Sequence, residues 1–363
     1  MCGIAGIVSL SGQAVTAPDV QKLTDSLRHR GPDGTGVWLS PAGNVGLGHT
    51  RLAILDLSDA AAQPMCSADQ RYVMVFNGEI YNFVELASLL KQKGSSFRSR
   101  SDTEVLLEGY QQWGMQLFDQ LNGMWAIALH DTHTGETLLC RDRFGVKPLY
   151  VYHQSGQMLV FASEASAIDR WFDGRLTPDR DYLQTVGRRG TGDRSCFREV
   201  SSLPPGHLMQ ISRDGAVMTK AWYQLRLQPT ADNLSEQAEQ FRELFVDACR
   251  LRLRSDVPVA TCLSGGVDSG SIVAVLHRSV PSEQGFFGFN HRSFNASFPG
   301  TTQDETAAAR QLATACSVQL DLQERGWYSG GVQTFMQVRV MCRVHVAVST
   351  PAPWRFGDCF EKR

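Results

Sequence analysis

Apolar and polar positions change period several times along the chain, and those changes divide it. Residues 1–10 are mostly apolar and predict a short buried strand, with small residues where a tightly packed terminus would need them. Residues 18–27 carry helical spacing, with Ala17-Pro18-Asp19 as a start signal. The cluster His29-Arg30-Gly31-Pro32-Asp33-Gly34 must then be a loop. Strand-like stretches follow at 36–39, 45–55 and 72–77, and helical ones at 84–93 and 103–113. Residues 124–131 and 137–142 predict a hairpin turning at His133-Thr134-Gly135. Many strands with two helices among them point to layered helices and sheets rather than a Rossmann domain.

After residue 165 the pattern becomes loop-rich, and Leu203-Pro204-Pro205-Gly206 reads as a turn near the end of a first domain. A polar linker at 228–233 leads into a helix over 235–254, with Ser235 as its cap. The apolar run 257–263 ends in Ser264-Gly265-Gly266-Val267-Asp268-Ser269, and 272–277 reads as helix. Strand, glycine loop and helix in that order describe a phosphate site on an α/β sheet. A further helix covers 304–315, and from 326 to 363 no period is sustained.

Composition narrows the picture modestly. A length of 363 residues suggests two domains, and a net charge of -2 gives no reason to invoke nucleic acid or an anionic membrane as partner. The nine cysteines lack metal-ligand spacing, and their odd number argues against a full disulfide framework, so a reduced, cytoplasmic setting is expected. The sequence offers no membrane-spanning run and no secretory leader.

Candidate chemistry starts at Cys2. Once Met1 is trimmed, one residue carries both a thiol and an α-amine, whose ordinary pKa values of roughly 8.5 and 7.7–8.0 make proton transfer between them nearly balanced. Asn77-Gly78 is either a hairpin turn or an amide and backbone N–H pair forming an oxyanion hole. Arg51 either faces solvent from an apolar strand or grips a substrate α-carboxylate. Ser101-Asp102 is either a plain helix start or a carboxylate awaiting an α-ammonium. Carboxylate and ammonium partners together would specify a free amino acid, and glutamine would bring its side-chain amide to the thiol. Ser264 to Ser269 is either a capped glycine turn or an anion nest for the pyrophosphate of ATP, with Asp268 positioning magnesium.

Cys2-Gly3-Ile4, Arg30-Gly31-Pro32-Asp33, His49 to Asp56, Asn77 to Asn82, Ser101-Asp102, Arg141 to Tyr150, Phe161-Ala162-Ser163-Glu164, Pro204-Pro205-Gly206 and Ser264 to Ser269 occur in an order that resembles glutamine-hydrolysing asparagine synthetases over about residues 2–320. The resemblance implies an α+β N-terminal-nucleophile hydrolase, an α/β/β/α sandwich, as glutaminase domain over 2–210. A linker at 211–234 and a partial α/β domain at 235–325, of the adenine-nucleotide α-hydrolase (PP-loop) type, would follow. It also implies Cys2 as nucleophile, Asn77 and Gly78 as oxyanion hole, and Arg51, Leu52, Ala53, Ile54, Leu55, Asn77, Gly78, Glu79 and Asp102 around glutamine. Cys262, Leu263, Ser264, Gly265, Gly266, Val267, Asp268, Ser269 and, by position, Phe287 would border ATP, with Asp268 near Mg2+. Substrates would be glutamine, aspartate and ATP, and relatives of this kind dimerise, which implies a homodimer. The family's Ser-Gly-Glu motif and acidic cluster are missing and residues 326–363 are unlike the family, so a C-terminally truncated synthetase is expected. A glutaminase that makes no asparagine, or a silent remnant acting as a binding protein, are the alternatives. The Ser264 to Ser269 loop disfavours phosphoribosyl-pyrophosphate and fructose-6-phosphate amidotransferases, and Cys2 disfavours a β-lactam synthetase relative.

Overall fold

A computed structural model describes residues 1–185, 192–226, 233–279, 289–302, 304–324 and 345–346. The chain divides into two compact units, the first over Met1–Arg226 and the second beginning at Leu227. The first opens with β1 (Gly3–Ser9), α1 (Ala17–Asp25), β2 (Gly34–Leu39), β3 (Val45–Arg51), β4 (Met65–Cys66) and β5 (Tyr72–Ile80). Helices α2 (Phe83–Gln92), α3 (Asp102–Trp113) and α4 (Leu117–Gln120) lead to β6 (Gly123–Asp131), β7 (Thr137–Arg141), β8 (Tyr150–Gln154) and β9 (Met158–Ala162). The unit closes with α5 (Ala165–Trp171), α6 (Arg180–Thr185), β10 (Val200–Ser202), β11 (His207–Ile211) and β12 (Val217–Ala221).

These strands make two six-stranded antiparallel sheets, ordered β10-β8-β9-β1-β3-β2 and β12-β11-β7-β6-β5-β4. Residues of the central strands alternate between two buried environments, which explains why the sequence shows apolar runs there instead of apolar–polar alternation. On β1, Ile4 and Val8 meet Val73, Val75, Ala126 and Ala128 of the opposing sheet, while Ala5 and Ile7 pack with Leu23, Leu27 and Ile168 of the α1 and α5 side. On β5, Met74 and Phe76 turn to Leu86, Leu90 and Leu106 of α2 and α3. The outcome is four layers, helix–sheet–sheet–helix, as the resemblance implies.

Three sequence expectations are corrected. Asn77-Gly78 is not a turn: β5 runs on to Ile80, with Asn77 opposite Ala126 and Gly78 opposite Trp125 of β6. β3 stops at Arg51 rather than Leu55, because Arg51 donates to the main-chain oxygens of Ser58 (2.8 Å) and Asp56 and folds residues 52–58 back as a loop. β11 pairs with β12 and β7, which carries the first unit's sheet past residue 210 to Ala221.

The second unit contains α7 (Leu234–Leu251), β13 (Val259–Cys262), α8 (Val267–Ser279), β14 (Phe289–Ser297), α9 (Thr306–Ala315), β15 (Gln319–Glu324) and β16 (His345–Val346). Its sheet is parallel, ordered β15-β14-β13-β16. Small cores form where Leu263 and Val273 meet Ala309 and Ala313, and where Cys249 and Leu253 meet Val259 and Leu276. Among the described residues no helix is long and apolar enough to cross a membrane.

Candidate active site

Cys2 directly precedes β1, and its thiol sits on the first residue of the loop after β3. Leu52 N–H donates to Cys2 Sγ at 3.4 Å, and Sγ donates to Leu52 C=O at 3.6 Å. Arg30 Nε donates to the Cys2 carbonyl at 3.0 Å, and Arg30 Nη1 to Glu164 Oε1 at 2.8 Å, both side chains being buried. Burial pushes the thiol above its ordinary pKa, and the charge of Asp102 adds to that rise. The Leu52 N–H, the terminal ammonium and the Lys147 ammonium work the other way, because each stabilises a thiolate. Lys147 is itself buried, which lowers its pKa despite the nearby charge of Glu79. Its segment is held by Asp142, which accepts the N–H groups of Phe144, Val146 and Lys147 at 3.0 Å each.

The loop 52–58 is shaped from outside as well. Asp33 Oδ2 accepts Ala53 N–H at 3.0 Å, so the Arg30-Gly31-Pro32-Asp33 turn braces it. Asp56 adopts a φ of 48°, a conformation costly for a residue with a Cβ. Its carboxylate offsets that cost by accepting from Ser58 N–H (3.1 Å) and Arg100 N–H (2.7 Å). Two guanidinium nitrogens of Arg51 are occupied by loop carbonyls, so Arg51 shapes the segment whether or not it meets a ligand. Ile54 and Leu55 are half-buried in the same loop.

Asn77 is buried, and its Nδ2 has no hydrogen-bond partner among the described residues. An unpaired buried amide donor is costly, on the order of 1–3 kcal/mol, unless something arrives to accept from it. Gly78 is glycine for packing reasons: a Cβ there would lie 2.2 Å from the Met124 carbonyl oxygen across the ladder. Further along the strand, Ile80 N–H donates to Asp102 Oδ2 at 3.0 Å. Asp102 begins α3 behind the Ser101 cap, and burial, abetted by the charge of Glu79, pushes its carboxyl up to about 7. The fold thus gathers Cys2, Leu52, Glu79 and Asp102, with Asn77 and Gly78 on the same strand as Glu79.

In the second unit, Cys262 ends β13 and Leu263 is fixed by Phe294 C=O and the Asn295 side chain, each at 2.9 Å. Within the loop Ser264 N–H donates to Ser269 Oγ (3.1 Å) and Gly266 N–H to Ser264 Oγ (3.2 Å). Gly265 N–H donates to Glu305 Oε2 at 3.2 Å, and a Cβ on Gly265 would lie 2.9 Å from the Cβ atoms of Ala308 and Glu305. The loop therefore already takes a carboxylate oxygen on its main chain, at the head of the 13-residue α8, whose first turn carries Val267 and Asp268. Main-chain N–H groups at a helix start are the donor type that anions such as phosphate use. Phe287 lies outside the described residues.

Sequence reasoning missed Arg30, Glu164 and Lys147 as neighbours of the thiol. All three stood in recognised motifs, but their approach to Cys2 spans many residues of chain and is set by tertiary packing alone.

A glutamine amidotransferase domain model matches residues 1–223, and an asparagine synthase model matches residues 240–325. Asparagine synthetase [glutamine-hydrolyzing] 3 of Bacillus subtilis is 36% identical over 281 residues, covering 76% of this chain and 45% of the relative. Asparagine synthetase [glutamine-hydrolyzing] 1 of the same organism is 33% identical over 328 residues, covering 88% and 49%. The chain spans about half the length of the curated relatives it matches. A solved glutamine phosphoribosylpyrophosphate amidotransferase from B. subtilis superposes with a TM-score of 0.48 at 17% identity, covering 93% of this chain and 70% of that one. With a family model matched across the whole first unit's sandwich, the chain belongs to the glutamine amidotransferase domain family.

Proposed function

We propose that the chain hydrolyses glutamine at Cys2 to glutamate and ammonia, with the ammonia destined for ATP-dependent amidation of aspartate to asparagine. The observation that carries this reading is the seating of the Cys2 thiol on the Leu52 main chain, within reach of the charges of Asp102 and Lys147. After removal of Met1, Cys2 Sγ attacks the side-chain carbonyl carbon of glutamine and its proton passes through the Cys2 α-amine to the departing nitrogen. Negative charge on the amide oxygen is taken by Asn77 Nδ2 and Gly78 N–H, where one donor is worth roughly 2.7–4 kcal/mol in the transition state. Ammonia leaves, and water then hydrolyses the thioester to glutamate. Ionised Asp102 and Glu79 receive the substrate ammonium, and Arg51 with the loop 52–55 receives its carboxylate.

For the second half, Ser264, Gly265, Gly266 and Ser269 would hold ATP phosphates at the start of α8, flanked by Cys262, Leu263 and Val267. ATP supplies the adenylate that activates the aspartate β-carboxylate. Asp268, in the first turn of α8, would offer a carboxylate to a magnesium ion, which would neutralise phosphate charge there. The seven described cysteines form no disulfide with one another, and a reduced, cytoplasmic setting is part of this proposal.

A glutaminase that makes no asparagine is the second reading. What favours it is that every described glutamine-site residue lies in the first unit, which has three cores of its own. The deciding assay compares glutamate released with asparagine formed from glutamine, aspartate and MgATP. Equal amounts support the synthetase, glutamate alone supports the glutaminase, and neither product refutes both. Intact-mass analysis showing Met1 retained throughout an active preparation would remove the amine from the mechanism.

A further inference from the structure

The Ser163-Glu164 pair sits between β9 and α5, far in sequence from Cys2, and the mechanism above leaves it without a task. Its contacts are nevertheless directed at the start of the chain. Ser163 is fully buried and engages Ile4 twice: Ile4 N–H donates to Ser163 Oγ and Ser163 N–H donates to Ile4 C=O, both at 2.9 Å. The regular β1–β9 ladder ends at Ala5 opposite Ala162, so Ser163 extends it by one more residue toward Cys2. Glu164 occupies the cap position of α5 but makes no capping bond to that helix. Its carboxylate turns instead to Arg30 Nη1 (2.8 Å) and to His29 Nε2, which lies 2.9 and 3.0 Å from the two oxygens. Arg30 then donates from Nε to the Cys2 carbonyl at 3.0 Å.

Resting on the amidotransferase reading, we infer that Ser163-Glu164 is a positioning clamp for the nucleophile, with Ser163 fixing Ile4 and Glu164 orienting Arg30 to fix the Cys2 carbonyl. Three points make this more than ordinary packing. The Arg30–Glu164 pair is buried, where loss of one partner leaves the other uncompensated. Burial works against ionisation of Glu164, yet the His29 hydrogen bond and the Arg30 charge hold its carboxyl down to about 2, so the clamp stays charged throughout the working range. The two anchored positions, residues 2 and 4, are those whose displacement would swing Sγ off the Leu52 main chain. A residue whose carbonyl and following strand are pinned has little freedom left except its own side-chain torsion, and small misplacements of a reacting atom cost large rate factors.

The test uses the full chain with Glu164→Ala, Glu164→Gln and the native protein. Glutamine hydrolysis by Glu164→Ala is expected to lose about 10- to 100-fold in kcat with KM changed less than about threefold. Glu164→Gln, which keeps an oxygen acceptor for Arg30, is expected to recover part of that loss. The discriminating readout is alkylation of Cys2 by two reagents. Iodoacetamide, which needs only an accessible thiol, should react within about threefold of native, while a diazoketone analogue of glutamine, which needs an aligned thiol, should slow about as much as kcat does. Native kcat in Glu164→Ala overturns the clamp, and so does an equal slowing of both reagents. A native chain that releases no glutamate would overturn the functional reading instead, and the ratio of the two alkylation rates still decides the clamp.

Discussion

The two units hold their candidate chemistry in opposite ways. In the first, the side chains around Cys2 are buried and tied together across long stretches of chain: Cys2 to Leu52, Arg30 to Glu164, Ile80 to Asp102. In the second, the Ser264 to Ser269 loop is largely exposed and bonded mainly to itself, Glu305 being the distant exception. Burial lets the first unit tune ionisation, so a thiol is pushed up and a carboxyl reaches about 7. An exposed loop of main-chain N–H groups holds an anion mainly by geometry and dipole. The first unit should therefore respond to changes of charge and pH, and the second to changes of backbone shape.

Replacing the thiol gives the largest effect expected. Cys2→Ala should reduce glutamate release by on the order of a thousandfold or more while leaving thermal unfolding near native. Undiminished release would take Cys2 out of the chemistry and dissolve the contrast with the second unit. Asn77→Ala comes next, at about 100- to 1,000-fold in kcat with KM little moved, because its amide is asked to act only as charge develops on the oxygen. Since Asn77 Nδ2 is unpaired among the described residues, its removal should not cost stability, which a melting curve would check. A large fall in melting temperature would reveal a structural role instead.

Asp102 tests the electrostatic side directly. An ammonium partner must be ionised, and a carboxyl at about 7 gives up that charge as pH falls. Apparent KM for glutamine should then rise about tenfold between pH 8 and pH 6, and Asp102→Asn should show a high, pH-independent KM. The sign for stability is the reverse. The folded state keeps a proton that the unfolded chain releases near the ordinary carboxyl value, so Asp102 costs nothing in strong acid, and the cost is complete above about 7. Asp102→Asn should accordingly melt higher than native at pH 8 and alike at pH 4. A flat KM profile in the native chain would remove Asp102 from the substrate.

How far the sequence could be read follows the same division. Local signals were sound where local physics decides: the 137–142 strand behind its His133-Thr134-Gly135 turn, and the strand–glycine loop–helix at 259–279. They failed at Asn77-Gly78, whose strong turn signature is overridden by pairing with Ala126 and Trp125. They failed also at residues 52–55, where an apolar run suggests strand but Arg51 bends the chain onto the Asp56 and Ser58 carbonyls. Candidate site residues with their own motif, Cys2, Asn77 and Asp102, could be singled out from the sequence. Lys147, Arg30 and Glu164 matter through neighbours some 28 to 145 residues away, which no local pattern encodes.

The smallest effect expected is confined to the second unit. Gly265 has its missing side chain pressed against Ala308 and Glu305 at 2.9 Å, so Gly265→Ala must shift either the loop or the start of α9. A shift of a few tenths of an ångström misdirects the N–H groups without removing any charge, and about a tenfold weakening of ATP binding is the scale such misalignment produces. Binding can be followed by titration calorimetry with MgATP on the full chain. Glutamate release from glutamine alone should stay within twofold of native, because none of the described residues around Cys2 lies in that unit. Weakened ATP binding with untouched glutaminase would show that shape governs one site and charge the other. A matching loss of glutaminase would mean the two sites are energetically coupled, and the division drawn between the units would have to give way to a linkage between them.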